Sequence, residues 1–243
     1  MLHVTLYTLR PLCDRDEALR LWRALQRNLG HEARVALLLP DALHLLVDEL
    51  PCIRRRISAV CGAVHPARWR MPVPPRRAGI AIADALVRRP VELGLVSRQV
   101  DWEFSTWRDA AGLTCSPWGD PGVFSLGPLP ARTAPAPQMR RPPLDEVLDA
   151  VCTAARLRRD ELATTAQGRL LTVQASARQG WDQPRLLASR LRMRPASVRR
   201  LFRAPEAPEL GAVLRCLTVP ACTAKESKPQ RGSGILGPCS SPS

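Results

Sequence analysis

Residues 34–47, RVALLLPDALHLLV, constrain the fold more than any other stretch of the chain. RVALLL (34–39) is a short, continuous apolar run of the length that suits a buried strand. Pro40 and Asp41 interrupt it with turn chemistry, and LHLLV (43–47) then reads as the neighbouring strand. HVTLYTL (3–9) alternates with period two and predicts a strand ahead of this pair. Between them Asp14 starts a helix, with Glu17 three residues on as a capping box, and Gly30 stops it. The apolar face of that helix is Ala18, Leu21, Trp22, Leu25 and Leu29. After the strand pair, IRRRISAVCGAV carries Ile53, Ile57, Val60 and Val64 at helical spacing. A Pro- and Arg-rich loop (66–77) leads to a further helix, AGIAIADALVRR (78–89). The order strand, helix, strand, strand, helix predicts a ferredoxin-like α+β sandwich over residues 1–127.

PLPARTAPAPQMRRPP (128–143) has linker composition and marks the domain boundary. Residues 144–217 then read as wholly helical, and 218–243 have the composition of a disordered tail. PLDEVLDAVCTAARL has Pro at its start, acids in its first turn, and Leu144, Val147, Leu148 and Val151 on one face. RLLTVQASARQ predicts a second helix. QPRLLASRLRMRPASVRRLFR (183–203) predicts two short helices around a turn at Met193 to Pro195. Ala188 and Val198 have the spacing of a helix-turn-helix, with Leu187, Leu191 and Leu201 as further inward positions. Arg192 stands at the turn position usually held by Gly. Val198, Leu201 and Phe202 then face inward, leaving Ser197, Arg199, Arg200 and Arg203 outside for the major groove. Arg185, Arg190 and Arg194 are placed to meet phosphates. The alternative is an ordinary basic helical hairpin with a solvated face.

The formal charge is +14, nearly all of it arginine, because lysine occurs only at Lys225 and Lys228. Such a surplus favours a polyanionic partner, nucleic acid above all, although a GC-rich genome also produces Arg, Ala, Leu and Pro richness. No apolar run is long enough to span a bilayer, so no membrane partner is expected, and the N-terminus lacks the pattern of a signal peptide. The eight cysteines are irregularly spaced without a C-x-x-C pair, which predicts reduced thiols in a cytoplasmic protein.

RRPVELGLVSRQVDWEFSTWRDAAGL (88–113) resembles a segment of the REP-associated tyrosine transposases, in the single-tyrosine HUH superfamily. Pro90, Val91, Gly94, Leu95, Val96, Asp101, Trp102, Ser105 and Asp109 fall in register. HVTLYTLR is similar to that family's opening strand, and LPDALHLLV to the strand bearing its metal-binding histidines. The segment 144–203 resembles a DnaA-type C-terminal domain, which recurs in some members. The resemblance implies an HUH-type sandwich followed by a small all-α helix-turn-helix domain. It also implies single-stranded DNA cleavage and rejoining through a phosphotyrosine, in transposition of hairpin or repeat DNA. Two histidines one residue apart on a strand would hold a Mg or Mn ion, and a tyrosine on a nearby helix would attack.

Most of that constellation is missing here. The first histidine position is Ala42, preceded by Asp41; the second is retained as His44, a remnant metal ligand or a satisfied sheet histidine. The tyrosine position falls at Ala85, and the metal-assisting polar position at Arg89, whose cation would repel a divalent ion. The only tyrosine, Tyr7, lies in the first strand. The expectation is a DNA-binding protein without catalysis and without a cofactor unless the HUH site works. The alternatives are an active nuclease using atypical residues, or a decayed reading frame.

Overall fold

The computed structural model describes residues 1–8, 11–12, 14–48, 56, 64–65, 69–72, 76–124 and 141–218. The fold is α+β. In its antiparallel sheet β1 (Leu2–Thr8) pairs with β3 (Ala42–Val47), and β3 pairs with β2 (Ala33–Leu38). The other edge of β1 is taken by two short strands, β4 (Val64–His65) and β5 (Trp69–Pro72). The strand order is β2-β3-β1-β4, with β5 also against β1.

α1 (Arg15–Leu29) begins where the Asp14 carboxylate accepts from the Asp16 amide at 2.9 Å, and it ends at Gly30, whose φ is +49°. Its buried residues are Ala18, Leu19, Trp22, Leu25 and Leu29, so Leu19 replaces Leu21, which is only partly covered. This face packs on Val4, Leu6, Ala36, Leu38, Leu43, Leu45 and Val47. The opposite sheet face sets Val35, Leu37, Leu39 and Leu46 against Ala83, Leu86 and Val87 of α2 (Arg76–Glu92). Both faces of β2 are therefore covered, which explains a strand sequence that is apolar without alternation.

Two sequence expectations change here. Val64, assigned to a helix face, is in β4, and the loop 66–77 contains β5. The proline at 66 biases the preceding residue toward extended backbone, and the open edge of β1 supplies the hydrogen bonds that complete the strand. The rest of the helix expected over 53–64 lies outside the described residues, apart from helical Arg56, as do 125–140 of the linker region and the tail beyond 218.

The segment 102–109 covers the outer edge of β2. Leu38 N donates to Phe104 O at 3.0 Å, Trp102 Nε1 donates to Leu38 O at 2.8 Å, and Ala36 N donates to Thr106 Oγ1 at 3.0 Å. Ser105 caps α3 (Thr106–Ala110) by accepting from Trp107 N. An edge that would otherwise be a row of unpaired amides is thereby closed.

The helical part comprises α4 (Leu144–Ala155), α5 (Glu161–Thr164), α6 (Ala166–Arg178), α7 (Pro184–Arg190), α8 (Pro195–Phe202) and α9 (Leu210–Thr218). It shares one apolar core with the sheet, through Trp107, Leu113 and Phe124 on one side and Leu144, Val147, Val151 and Val213 on the other. At the joint the Asp109 carboxylate meets Arg156 Nη2 at 2.5 Å, Thr114 Oγ1 at 2.7 Å and Trp118 N at 3.0 Å. Both members of this ion pair are buried, their side chains 2 % and 5 % exposed. The Arg156 guanidinium also lies 5.0 Å from the centre of the Trp22 ring. Arg15 joins Glu103 at 2.6 Å, and Arg23 joins Glu161 at 2.7 Å while donating to Arg156 O. At the far side Arg215 Nε donates to Gly112 O at 2.7 Å. Gly112 has φ +67°, and a Cβ there would also lie 3.0 Å from the Arg215 guanidinium.

Removing one partner of a buried ion pair strands the other without water or counter-charge. Asp109→Ala is predicted to cost about 3–5 kcal/mol of unfolding free energy, by analogy with other broken buried pairs. Urea denaturation followed by tryptophan fluorescence measures this, since Trp22 borders the pair; a loss under about 1 kcal/mol would show that the carboxylate does not hold the joint.

Candidate functional site

Two polar surfaces stand out from this framework. The first is the part of the sheet face that α2 leaves uncovered by apolar side chains. Along β1, Val4 and Leu6 enter the core under α1, so His3, Thr5 and Tyr7 point the other way. Along β3, Leu43, Leu45 and Val47 face α1, so Ala42, His44 and Leu46 share the opposite face. The register then sets Thr5 opposite His44 and Tyr7 opposite Ala42. Thr5 Oγ1 lies 3.2 Å from His44 Nδ1, and the His3 and His44 rings stack with centroids 5.7 Å apart and planes 25° apart.

Burial, and then the charges of His3 and Arg89, lower the His44 pKa to about 4, with Asp41 opposing. Arg89 stands on α2 and is exposed. Ala85 lies one helical turn earlier on α2 and is exposed. Ala42 and His44 are thus brought to one sheet face, while Ala85 and Arg89 stand one turn apart on α2. His3 and Thr5 are not marked by the sequence motifs, and Tyr7 is marked only as the sole tyrosine, in the first strand. Their signal is the i, i+2, i+4 spacing in HVTLYTL, which puts all three on one strand face.

These donors do not fit a divalent ion. Ala42 offers no lone pair, and the nearly parallel planes of His3 and His44 direct their in-plane lone pairs along separate lines. Arg89 adds a cation where a counter-charge would be needed. Among the described residues, no group of three or more His, Cys, Asp or Glu is arranged to hold a metal. The described cysteines Cys115, Cys152 and Cys216 are not disulfide-bonded, and Cys216 Sγ donates to Leu113 O at 3.2 Å. Burial raises Cys115 to about 12 and Cys152 to about 11, which keeps both protonated and unreactive.

The second surface is the α7–α8 hairpin. Leu187, Ala188, Leu191 and Val198 are buried, and Leu201 and Phe202 pack partly against the same core, as the helix-turn-helix spacing predicts. Arg192, at the position where Gly is usual, has φ +51°. The chain therefore makes the left-handed turn without glycine, at a cost of order 1 kcal/mol that the surrounding packing offsets. Arg185, Arg190, Arg192, Arg194, Arg199, Arg200 and Arg203 are all exposed, whereas Ser197 is half-buried. Residues 184–203 contain no Asp or Glu. None of these seven guanidinium groups meets a carboxylate among the described residues. Elsewhere the picture is mixed: Arg15, Arg23, Arg34, Arg156 and Arg159 are each paired with acids, while Arg20, Arg27 and Arg88 are exposed and meet no carboxylate among the described residues.

No helix among the described residues is long and apolar enough to cross a membrane. No family model matches the chain, and no curated protein or solved structure matches it.

The depressed His44 pKa carries a stability consequence. Its folded value lies below the usual imidazole value of 6.5, so protonation favours the unfolded chain. The stability it contributes is present above about pH 6.5 and is lost as pH falls toward 4, on the order of 3 kcal/mol at most. Hydrogen bonding to Arg23 lowers Glu161 to about 2, so its contribution is lost in a separate window below pH 4.5. His44→Asn is predicted to flatten the denaturation profile between pH 6.5 and 4, and Arg89→Gln to raise the His44 pKa in an NMR titration. An unchanged titration in Arg89→Gln would remove Arg89 from this site.

Proposed function

We propose that the chain is a DNA-binding protein related to single-tyrosine HUH transposases, without their strand-cleaving chemistry. The observation that carries DNA binding is the group of seven exposed arginines over 184–203, a stretch with no Asp or Glu, none of them ion-paired with a carboxylate among the described residues. Holding so many cations together unpaired is unfavourable unless a polyanion neutralises them. The buried Ala188 and Val198, and the left-handed Arg192 between their helices, support a helix-turn-helix reading. In that reading Arg199, Arg200 and Arg203 of the second helix face base edges, and Arg185, Arg190 and Arg194 meet phosphates. Ser197, being half-buried, contributes at the margin.

The strand order β2-β3-β1-β4 supports the finer reading of a ferredoxin-like, HUH-type sandwich. So does α2, which follows the sheet and packs Ala83, Leu86 and Val87 on the face opposite α1. The partner class is hairpin or repeat DNA, as the resemblance implies. Loss of chemistry rests on Ala42, Ala85 and Arg89, which remove a metal ligand and the nucleophile and add an unfavourable charge.

Fluorescence anisotropy with hairpin and duplex probes at several salt concentrations tests the binding. The affinity is predicted to fall steeply from 50 to 200 mM salt, with log–log slope near −0.9 per phosphate contact. Arg199→Ala combined with Arg200→Ala is predicted to weaken binding at least tenfold. Absence of salt-dependent affinity for either probe would sink the proposal.

One observation favours a second reading, an active enzyme with an atypical nucleophile: Tyr7 stands in register with Ala42 on the face of His44. A nicking assay on labelled hairpin DNA with magnesium or manganese separates the two. Neither nicked product nor covalent adduct is expected; an adduct lost in Tyr7→Phe would establish the enzyme.

A further inference from the structure

We infer that Arg192, in the turn between α7 and α8, contacts a backbone phosphate of duplex DNA, and that this contact is why a disfavoured backbone conformation is kept there. The inference rests on the DNA-binding reading of the hairpin and gives the arginine of its turn a task.

Six of the described residues have positive φ. Four are Gly30, Gly94, Gly112 and Gly180, for which the left-handed region carries no steric penalty. The other two are Arg156 at +50° and Arg192 at +51°. Arg156 has a reason inside the molecule, because its guanidinium is buried against Asp109 and Trp22. Arg192 has none. Its side chain is exposed and forms no hydrogen bond or ion pair among the described residues.

The turn itself asks nothing of that side chain. Met193 N donates to Ala188 O at 2.9 Å and Arg192 N to Ser189 O at 3.4 Å, the paired backbone bonds that end a helix on a left-handed residue. Glycine would make both bonds without steric cost. Nor can the turn relax to suit arginine, since Leu191 before it and Val198 beyond it are 1 % and 0 % exposed. A disfavoured backbone without an internal partner points to a binding role, in which the side chain meets something outside the chain.

Position and charge identify that ligand. Arg190, Arg192 and Arg194 are exposed, with Leu191 buried and Met193 partly buried between them, so three cations fall within five consecutive residues. The turn leads directly into α8, which the DNA-binding reading puts in the major groove. A segment entering the groove passes the phosphates at its rim before it reaches base edges. A guanidinium there can meet a phosphodiester with two parallel N–H donors, whatever the base sequence.

The test measures fluorescence anisotropy of the full chain with two duplex probes of unrelated sequence over a salt series, together with thermal unfolding. Arg192→Gln keeps the backbone penalty and removes the charge. It is expected to unfold at the parent's temperature, to bind both duplexes about tenfold more weakly, and to reduce the log–log salt slope by about 0.9. Arg192→Gly is expected to lose the same affinity while unfolding at the parent's temperature or up to about 4 °C above it. Arg192→Lys, which restores the charge, is expected to recover the slope. A side chain that only served the turn would not move the slope or separate binding from stability in this way. The inference is overturned if Arg192→Gly unfolds below the parent, or if the loss is confined to one of the two sequences. It is also overturned if the Gln and Gly variants keep the parent's affinity and slope; a loss in Arg199→Ala with Arg200→Ala then leaves the DNA-binding reading standing. A parent chain without salt-dependent affinity for either duplex overturns the inference and the reading together.

Discussion

The buried pair of Asp109 and Arg156 is the constraint around which the two halves of this chain are arranged. Its charges have left water almost completely, with side chains 2 % and 5 % exposed. Desolvation of that degree is offset on the carboxylate side by three accepted hydrogen bonds, while Arg156 Nε and Nη1 stay buried without a hydrogen-bond partner among the described residues. The carboxylate accepts from the guanidinium, from Thr114 Oγ1 and from Trp118 N. Arg156 follows the last turn of α4 with φ +50°, an unfavourable backbone for a non-glycine residue. Its carbonyl receives Arg23, and its guanidinium lies over Trp22. A pair of this kind adds little net stability over apolar packing, but it penalises every arrangement in which the two partners do not meet. Orientation of the helical part on the sheet is the property it specifies.

This changes what the recognisable segment DWEFSTWRD signifies. Trp102 hydrogen-bonds the β2 edge, Ser105 caps α3, Thr106 bonds the β2 backbone, Trp107 enters the core and Asp109 anchors the joint. Each of these residues has a packing task that is complete without substrate. Resemblance over this stretch therefore speaks to scaffold, and it is compatible with either a working or a dismantled active site. Under the proposed HUH-related reading, the chemistry is judged at Ala42, His44, Ala85 and Arg89, and three of those four lack the group that reading requires.

Legibility in the sequence followed the physical origin of each signal. Helix α1 was readable from Asp14, Gly30 and the 3.6-residue period, because local capping and amphipathicity determine it. The hairpin α7–α8 was readable from the spacing of Ala188 and Val198. Strands β4 and β5 were not, since they are short and exist because β1 offers an open edge, a tertiary cause with no local pattern. Likewise nothing in the local sequence marks Arg156 as buried, because its partner lies 47 positions away. At the candidate site, Ala42 and His44 were placed on one face by simple alternation. Tyr7 belongs to the same face by the same rule, but its relevance depends on the register of β1 against β3. That register is a pairing choice, which one strand's sequence does not disclose.

The distribution of charge bears on whether the arginine content reflects composition alone. If it did, arginines without acidic partners should be scattered over the surface in proportion to their number. A few such arginines are scattered, Arg20 and Arg27 on α1 and Arg88 on α2, but there acids are interleaved with arginine, and Arg15, Arg23, Arg156 and Arg159 are paired. Acids are absent over 184–203, where seven arginines are exposed. None of these seven forms an ion pair with a carboxylate among the described residues. Compositional drift supplies arginine but gives no reason for aspartate and glutamate to disappear from one hairpin. A surface that must meet a polyanion does give that reason, because each acid on it would repel the ligand as strongly as each arginine attracts it.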